Sequence, residues 1–425
     1  MSNRYYQRGM GQAIADRAGL IHFHSHGGSK SDPTLPSAPS DPDLKSDRRE
    51  LYAVAQALDA DAPIAAGIMT PNGAISVREY RFLQPRDDRE ARLHAYTSAG
   101  GTYSFAEKIR IVGESLRTHQ GVPGKPEAMI DLRSFDSSLL LWGKLGQQAL
   151  AQLRIGIAGL GGVGGILAEH LARVGVGSLV LVDYDLIDEA NLNRAQGATI
   201  FDARGARPKA DLYAELARKS ATATGFRADA HIASVVEPDG LTPLLDCDFI
   251  FCCADSAFAR QVLDHVAYAH LIPVVDGGTT LRGDPKTRVF VAGKSQISVA
   301  SPGLPCLECQ GAYTQAEATD ARERAEARRY AQFGVDIADN EPEDLRAPSV
   351  IGHNALVAAL MQLRLLAIVL GTTPDTRKYT QRYYAERGTM SRVALDSCKV
   401  DCTKPAIVGM GNQHWIPTGK DPRLD

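Results

Sequence analysis

The chain has 425 residues, a formal net charge of −3 and 44% hydrophobic residues. That length accommodates two or three domains, each able to bury a core. The near-neutral charge excludes a nucleic-acid binder that works through bulk positive potential, and the polar, aromatic Met1–Met10 lacks the apolar stretch of a signal peptide.

The first pattern in chain order is GLIHFHSHGGSKSDPTLPSAPSDPDLKSD, from Gly19 to Asp47. His24 and His26 stand two apart, with Ser40 and Asp43 downstream, the residue order of a zinc hydrolase. A loop histidine pair with no metal is the competing reading. The first glutamate is Glu50, so Met1 to Phe23 hold no glutamate general base. The stretch resembles the JAB/MPN metalloproteases, which cut ubiquitin-like proteins at their C-terminal tails. By that resemblance His24, His26 and Asp43 would hold a zinc ion and Ser40 would stabilise the tetrahedral intermediate. The missing glutamate and the long gap from His26 to Asp43 make the expectation a truncated, inactive α+β JAB-like domain over residues 1–95. Tail binding or assembly would be its remaining roles.

Ile64 to Phe82 reads as two short strands around the turn Pro71-Asn72-Gly73. Pro85 to Pro126 is charged and Gly-containing without clear periodicity, and residues 96–137 are expected to be a linker. SLLLWGKLGQQALAQL, Ser138 to Leu153, reads as a helix. RIGIAGLGGVGGILAEHLARVGVGSLVLVD then reads as strand, Gly-rich turn, helix and strand, a βαβ unit. FRADAHIASV, DFIFCCAD and IPVVDGG are further strands with helices between them, so residues 138–425 are expected to form a doubly wound parallel sheet. Thr314 to Arg346 is rich in Ala, Glu and Arg and reads as a mobile helical excursion, within a charged segment 313–348. Ala355 to Gly371 carries Gln362 and Arg364, is shorter than a bilayer span and reads as a buried helix of a soluble, cytoplasmic protein.

Gly159, Gly161, Gly162 and Gly164 form G-x-G-G-x-G between strand and helix. Such a turn lets the backbone approach a phosphate at a helix N-terminus. An NAD or FAD site and a plain tight turn are both compatible with it. Asp183 ends the next strand, where an acid can bind ribose hydroxyls. Asn191 and Arg194 follow that strand, Lys209 stands at a helix start after Pro208, and Asp255 ends a third strand. All of these segments reach the carboxyl edge of a doubly wound sheet. Hydride transfer needs no such charge cluster; attack of a carboxylate on the α-phosphorus of ATP does.

GLGGVGG, LVDYD, NLNR, RPK and CCADS, in this order, resemble the ubiquitin-activating-enzyme superfamily, whose bacterial members include the ThiF/MoeB adenylyltransferases. The resemblance runs from about Leu145 to Leu395. It implies that Asp183 binds the ribose, that Arg194 and Lys209 hold the triphosphate, that Asp255 serves magnesium and that Asn191 lines the pocket. It also implies a homodimer that adenylates the C-terminal glycine of a ubiquitin-like β-grasp protein. The acyl group would pass to a conjugating-enzyme or sulfur-transfer partner, in a bacterial conjugation pathway of the kind associated with anti-phage defence. A sulfur-carrier adenylyltransferase of thiamine, molybdopterin or cysteine pathways is the alternative within the superfamily. No nucleic acid and no membrane are expected as partners. An NAD-dependent oxidoreductase would leave Arg194, Lys209 and Asp255 without a task, and a decayed scaffold would not retain them. Ser134 and Ser137 stand where the superfamily carries paired arginines, with Arg133 one position off.

Of seven cysteines, Cys306-x-x-Cys309 and Cys398-x-x-x-Cys402 form two close pairs, the spacing of a four-thiolate structural zinc site. Free buried thiols or a redox pair are the alternatives, and the resemblance supports zinc. Tyr313 to Pro348, where thioester-forming relatives usually carry a cysteine, has none. Cys252 and Cys253 read as small buried hydrophobes at a strand end, and Cys247 has no supporting motif.

Overall fold

The computed structural model describes residues 20–25, 64–69, 75–82, 101–106, 108–112, 116–120, 131–284, 286–331, 348–371 and 379–411. The chain divides into two compact units, Met1–Arg110 with Thr118–Glu127, and Ile111–Arg117 with Ala128–Asp425. The first contains a sheet of β1 (Leu20–Ser25), β2 (Ile64–Met69), β3 (Ile75–Phe82) and β4 (Gly101–Phe105), in that order. β1 runs parallel to β2, while β2–β3 and β3–β4 are antiparallel. The strand pair expected between Ile64 and Phe82 is thus β2 and β3. β5 (Lys108–Val112) and β6 (Leu116–Gln120) pair as a two-stranded sheet. Together with β4 they place three strands where the sequence suggests a linker. Each is only five residues long and carries charged or polar side chains, too little for a period to emerge from sequence alone. His24 lies on β1, whereas His26, Ser40 and Asp43 fall outside the described residues.

The second unit opens with α1 (Asp136–Ala151), broken at Gly143, where φ is +66°. β7 (Arg154–Ala158), α2 (Gly162–Val174) and β8 (Ser178–Val182) follow as the expected βαβ unit. Next come α3 (Ile200–Arg204), α4 (Lys209–Ser220), β9 (Arg227–His231), α5 (Pro238–Leu245), β10 (Phe249–Cys252) and α6 (Ala257–Ala269). The unit ends with β11 (Val274–Gly283), β12 (Phe290–Ala300), α7 (Gln315–Ala331), α8 (Ile351–Leu370), β13 (Tyr379–Tyr384) and β14 (Thr389–Ala394).

One sheet of eight strands carries this unit, in the order β14-β13-β12-β11-β10-β7-β8-β9. Strands β9, β8, β7, β10 and β11 are mutually parallel, which bears out the doubly wound expectation. β12, β13 and β14 extend the β11 edge antiparallel, so the whole sheet is mixed. Alternation along single strands fills two cores. Leu179 and Leu181 of β8, with Phe249 and Phe251 of β10, meet α2, α4 and α8 on one face. Val180 and Val182, with Ile250 and Cys252, meet α5 and α6 on the other. Successive side chains of a strand point to opposite faces, so near-continuous apolar strands require cover on both sides.

α8 is by length and composition apolar enough to cross a membrane, but half of that stretch is buried within the fold. It packs on α2, β11 and β12. The helix begins four residues before the expected Ala355, which gives it the span length that the shorter reading lacked. α7 supplies the described part of the expected charged helical segment.

β8 and β9 lie on one side of β7, and β10 and β11 on the other, so the chain reverses its winding direction between β7 and β10. Crevices at such reversal points, outside the carboxyl ends of the strands, are where open α/β sheets bind ligands. The Gly-rich turn stands there. Gly159 has φ +89°, and a Cβ on it would lie 2.8 Å from the backbone that follows β10. A Cβ on Gly164 would lie 1.9 Å from the Gly159 carbonyl oxygen, a backbone atom that cannot swing aside. Gly164→Ala is therefore expected to lower unfolding free energy by about 1–3 kcal/mol through overpacking. Thermal denaturation of the purified variant checks this, and an unchanged melting temperature would contradict the close approach.

Candidate functional site

Asp183 is buried, with 8% of its surface exposed, directly after β8. One carboxylate oxygen accepts the Leu160 amide at 2.5 Å and the other accepts the Asp185 amide at 2.8 Å. The acid therefore ties the end of β8 to the Gly-rich turn after β7, and the Gly159 amide adds a bond to the Val182 carbonyl at 2.9 Å. Burial pushes the Asp183 carboxyl above its usual range; the Leu160 amide and the Lys209 charge act against that shift. Two main-chain donors and a nearby cation offset part of the cost of burying the charged form.

Lys209 is the first residue of α4, with Pro208 at the cap position, and is buried. Its Nζ lies 2.6 Å from Asp185 Oδ2. Asp185 was not singled out from the sequence, and its place two residues after Asp183, ending a strand, is the one signal that could have found it. Tyr213, one helical turn further along α4, lays its ring over Gly165 and has a buried hydroxyl. Burial pushes that hydroxyl up, with Asp183 adding to the shift and Arg194 opposing it.

The other expected residues are less closely joined. Asn191 bonds the Asp188 side chain through its amide, at 2.8 Å from the backbone nitrogen, and through its side chain. Arg194 turns its guanidinium onto the Ala190 carbonyl at 2.7 Å and the Asn193 side chain at 3.0 Å. Asp255 stands exposed just beyond β10, before the Ser256 cap of α6. Arg260 of α6 donates to the Asp255 carbonyl at 3.3 Å and to the Asp276 carboxylate of β11 at 3.0 Å. Burial works to lower the Arg260 pKa, but Asp276, together with Cys252 and Asp255, raises it overall. Asn354 of α8 brings its side-chain amide against Gly162, so that a Cβ there would meet it at 2.1 Å. Arg260, Asp276 and Asn354 come from elements distant in sequence, and no spacing rule reaches them.

Cys252 is fully buried in the sheet and Cys253 follows it at the strand end. Burial, reinforced by Asp276, pushes both thiols up, which removes the thiolate a nucleophile needs.

The two cysteine pairs converge. The Sγ atoms of Cys306, Cys309, Cys398 and Cys402 all lie within 4.8 Å of one another. Cys306 Sγ and Cys402 Sγ are 3.6 Å apart, too far for a disulfide. A tetrahedral zinc with bonds of about 2.3 Å spaces its sulfurs by about 3.8 Å. Main-chain amides point at three of the sulfurs: Cys306 N to Cys398 at 3.2 Å, Cys309 N to Cys306 at 3.4 Å and Lys399 N to Cys309 at 3.4 Å. Burial pushes the Cys306 thiol up, and raises Cys398 to about 12, so these two free thiols would be poorly ionised here. A divalent cation supplies the charge that turns them into thiolates. The donor set fits zinc. Behind the cluster, the fully buried Asp264 of α6 accepts the Leu307 amide and the Tyr313 hydroxyl, each at 2.9 Å.

A family model described as the ThiF family matches residues 135–404. Molybdopterin-synthase adenylyltransferase of Escherichia coli is 30% identical over 186 residues, covering 42% of this chain and 64% of that protein. Sulfur carrier protein ThiS adenylyltransferase of Bacillus subtilis is 29% identical over 171 residues, covering 39% of this chain and 46% of that one. The matched stretch thus spans less than two thirds of either relative. Among solved structures, Escherichia coli MccB with ATP has a TM-score of 0.47 at 16% identity, over 65% of this chain and 75% of that one.

Metal analysis of the purified chain is expected to find about one zinc per chain, lost in Cys306→Ser together with several degrees of thermal stability. A Cys306→Ser protein that keeps both its zinc and its melting temperature would contradict the four-sulfur site.

Proposed function

The chain belongs to the ThiF family, and from that premise we propose that it is an ATP-dependent adenylyltransferase. Its substrate is the C-terminal glycine of a ubiquitin-like β-grasp protein. The observation that carries this reading is the junction of Asp183, the Gly-rich turn and Lys209 at the reversal point of the sheet. A ribose recognised by a buried acid, with phosphates beside main-chain amides and a lysine, is the ground state that such a junction suits.

A terminal carboxylate oxygen attacks the α-phosphorus of ATP. A new O–P bond forms as the bond to the bridging oxygen of pyrophosphate breaks, and pyrophosphate leaves with the electron pair. The products are an acyl-adenylate and pyrophosphate, with no net proton transfer. Two anions must meet, and the leaving group must be neutralised. Asp183 accepts from the ribose hydroxyls, Lys209 faces the phosphates and Asn191 lines the pocket. Arg194 joins Lys209 by exchanging the Ala190 carbonyl for a phosphate oxygen. Asp255, an exposed carboxylate at the carboxyl edge, suits magnesium, which would neutralise the phosphate oxygens.

The burial that pushes the Cys252 and Cys253 thiols up supports transfer from the adenylate to a cysteine or sulfur of a partner rather than to these two cysteines. The relatives' names support a sulfur carrier as the alternative substrate. The bacterial conjugation setting, with its link to anti-phage defence, rests on the motif order and on the His24-x-His26 stretch beside an activating domain. Leu140, Leu141 and Leu145 of α1 are 88%, 79% and 76% exposed, which supports a homodimer.

Lys209→Ala and Asp255→Ala are each expected to reduce ATP–pyrophosphate exchange by more than roughly a hundredfold, the scale for loss of a group that stabilises transition-state charge. The assay uses a candidate β-grasp protein ending in glycine, and melting temperature reports the fold. Near-normal exchange in either variant would remove the assignment.

A further inference from the structure

Asp185 is bound at both ends of the junction. Its amide donates to Asp183 Oδ1 at 2.8 Å, and its carbonyl accepts the Lys209 amide at 2.9 Å. The next residue, Leu186, makes an isolated antiparallel bridge to Pro208, and the Ile187 amide donates to the Arg207 carbonyl at 2.8 Å. The loop after β8 is thereby laced to the turn before α4, and the Asp185 carboxylate meets the Lys209 ammonium at 2.6 Å. The lysine side chain is 11% exposed and the aspartate side chain 48% exposed. An ordinary surface pair is weak because two mobile side chains must be ordered to make it. Here main-chain bonds on both sides have already fixed the two residues, so the pair forms with little further loss of freedom.

We propose that Asp185 is a positioning residue that aims Lys209 at the phosphates and tempers its grip on bound ATP. The inference rests on the adenylation reading. An ammonium has three donors, and Asp185 takes one, leaving the others for phosphate oxygens. The Asp185 charge competes with the nucleotide for the lysine while ATP is intact. As the bond to pyrophosphate breaks, charge gathers on the leaving oxygens and the lysine shifts its interaction toward them. An interaction that strengthens between ground state and transition state raises turnover, whereas one already complete in the ground state only tightens binding. Asp185 places the Lys209 interaction in the first class.

The test is Asp185→Asn in the full chain, with the affinity for a non-hydrolysable ATP analogue and magnesium measured by calorimetry. Release of the Lys209 ammonium from the competing Asp185 charge is expected to tighten binding about three- to tenfold. Pyrophosphate exchange at saturating ATP is expected to fall about tenfold or more. A merely structural role for Asp185 would move affinity the other way and lower the melting temperature. In the double variant Asp185→Asn/Lys209→Met the affinity is expected to equal that of Lys209→Met alone; a further tightening there would overturn the proposal. Asp185→Glu keeps the charge and is expected to keep wild-type affinity with reduced exchange, and a tightened Asp185→Glu would also overturn it. A wild-type chain that binds no ATP analogue overturns the adenylation reading. A wild-type chain that binds it, with an Asp185→Asn variant no tighter, overturns this proposal and leaves that reading standing.

Discussion

A carboxylate withdrawn from water survives only if the main chain bends to meet it, and Asp183 imposes that demand on the second unit. Its oxygens accept the amides of Leu160 and Asp185, which fixes the Gly-rich turn after β7 against the exit from β8. Gly159 can then lie against the backbone beyond β10, and Gly164 can sit beneath the Gly159 carbonyl. The crevice at the reversal point of the sheet follows from these contacts. Lys209 completes it through Asp185, so the acid proposed for the ribose and the ammonium proposed for the phosphates belong to one bonded chain.

The cysteine cluster does comparable work at the far end of α6. That helix begins beside Asp255, carries Arg260 against Asp276, and has Asp264 on its buried face. Asp264 holds the Cys306–Cys309 segment through the Leu307 amide, and Lys404, just past Cys402, brings its ammonium to 3.9 Å of the same carboxylate. Two stretches almost a hundred residues apart in sequence are thereby joined at the cysteine cluster. With little regular structure in 398–411, four thiolates on one cation are an economical way to hold that stretch.

The parallel half of the sheet was legible because near-continuous apolar strands alternate with helical stretches, and because the Gly-rich turn, Asp183 and Lys209 each mark an element boundary. Pro208 before Lys209 and the close spacing of the cysteines were equally direct signals. β12 to β14 were not legible: their side chains alternate weakly, and polar residues such as Ser298, Thr380 and Gln310 satisfy one another in the interior. Asn354 against Gly162 and Arg260 against Asp276 are likewise products of packing between remote elements. Arg194 was legible as a residue near the site, but its present partners on the 190–193 loop were not. The metal reading of His24, His26 and Asp43 depends on residues outside those described.

A crystal structure of the full chain with a non-hydrolysable ATP analogue tests the central claim most directly. The account predicts ribose hydroxyls within hydrogen-bond distance of the Asp183 carboxylate, phosphates over the amides of the Gly-rich turn and Lys209 Nζ on a phosphate oxygen. A nucleotide bound elsewhere, or an Asp183 carboxylate still directed only at Leu160 and Asp185 with no ribose beside it, would contradict the account.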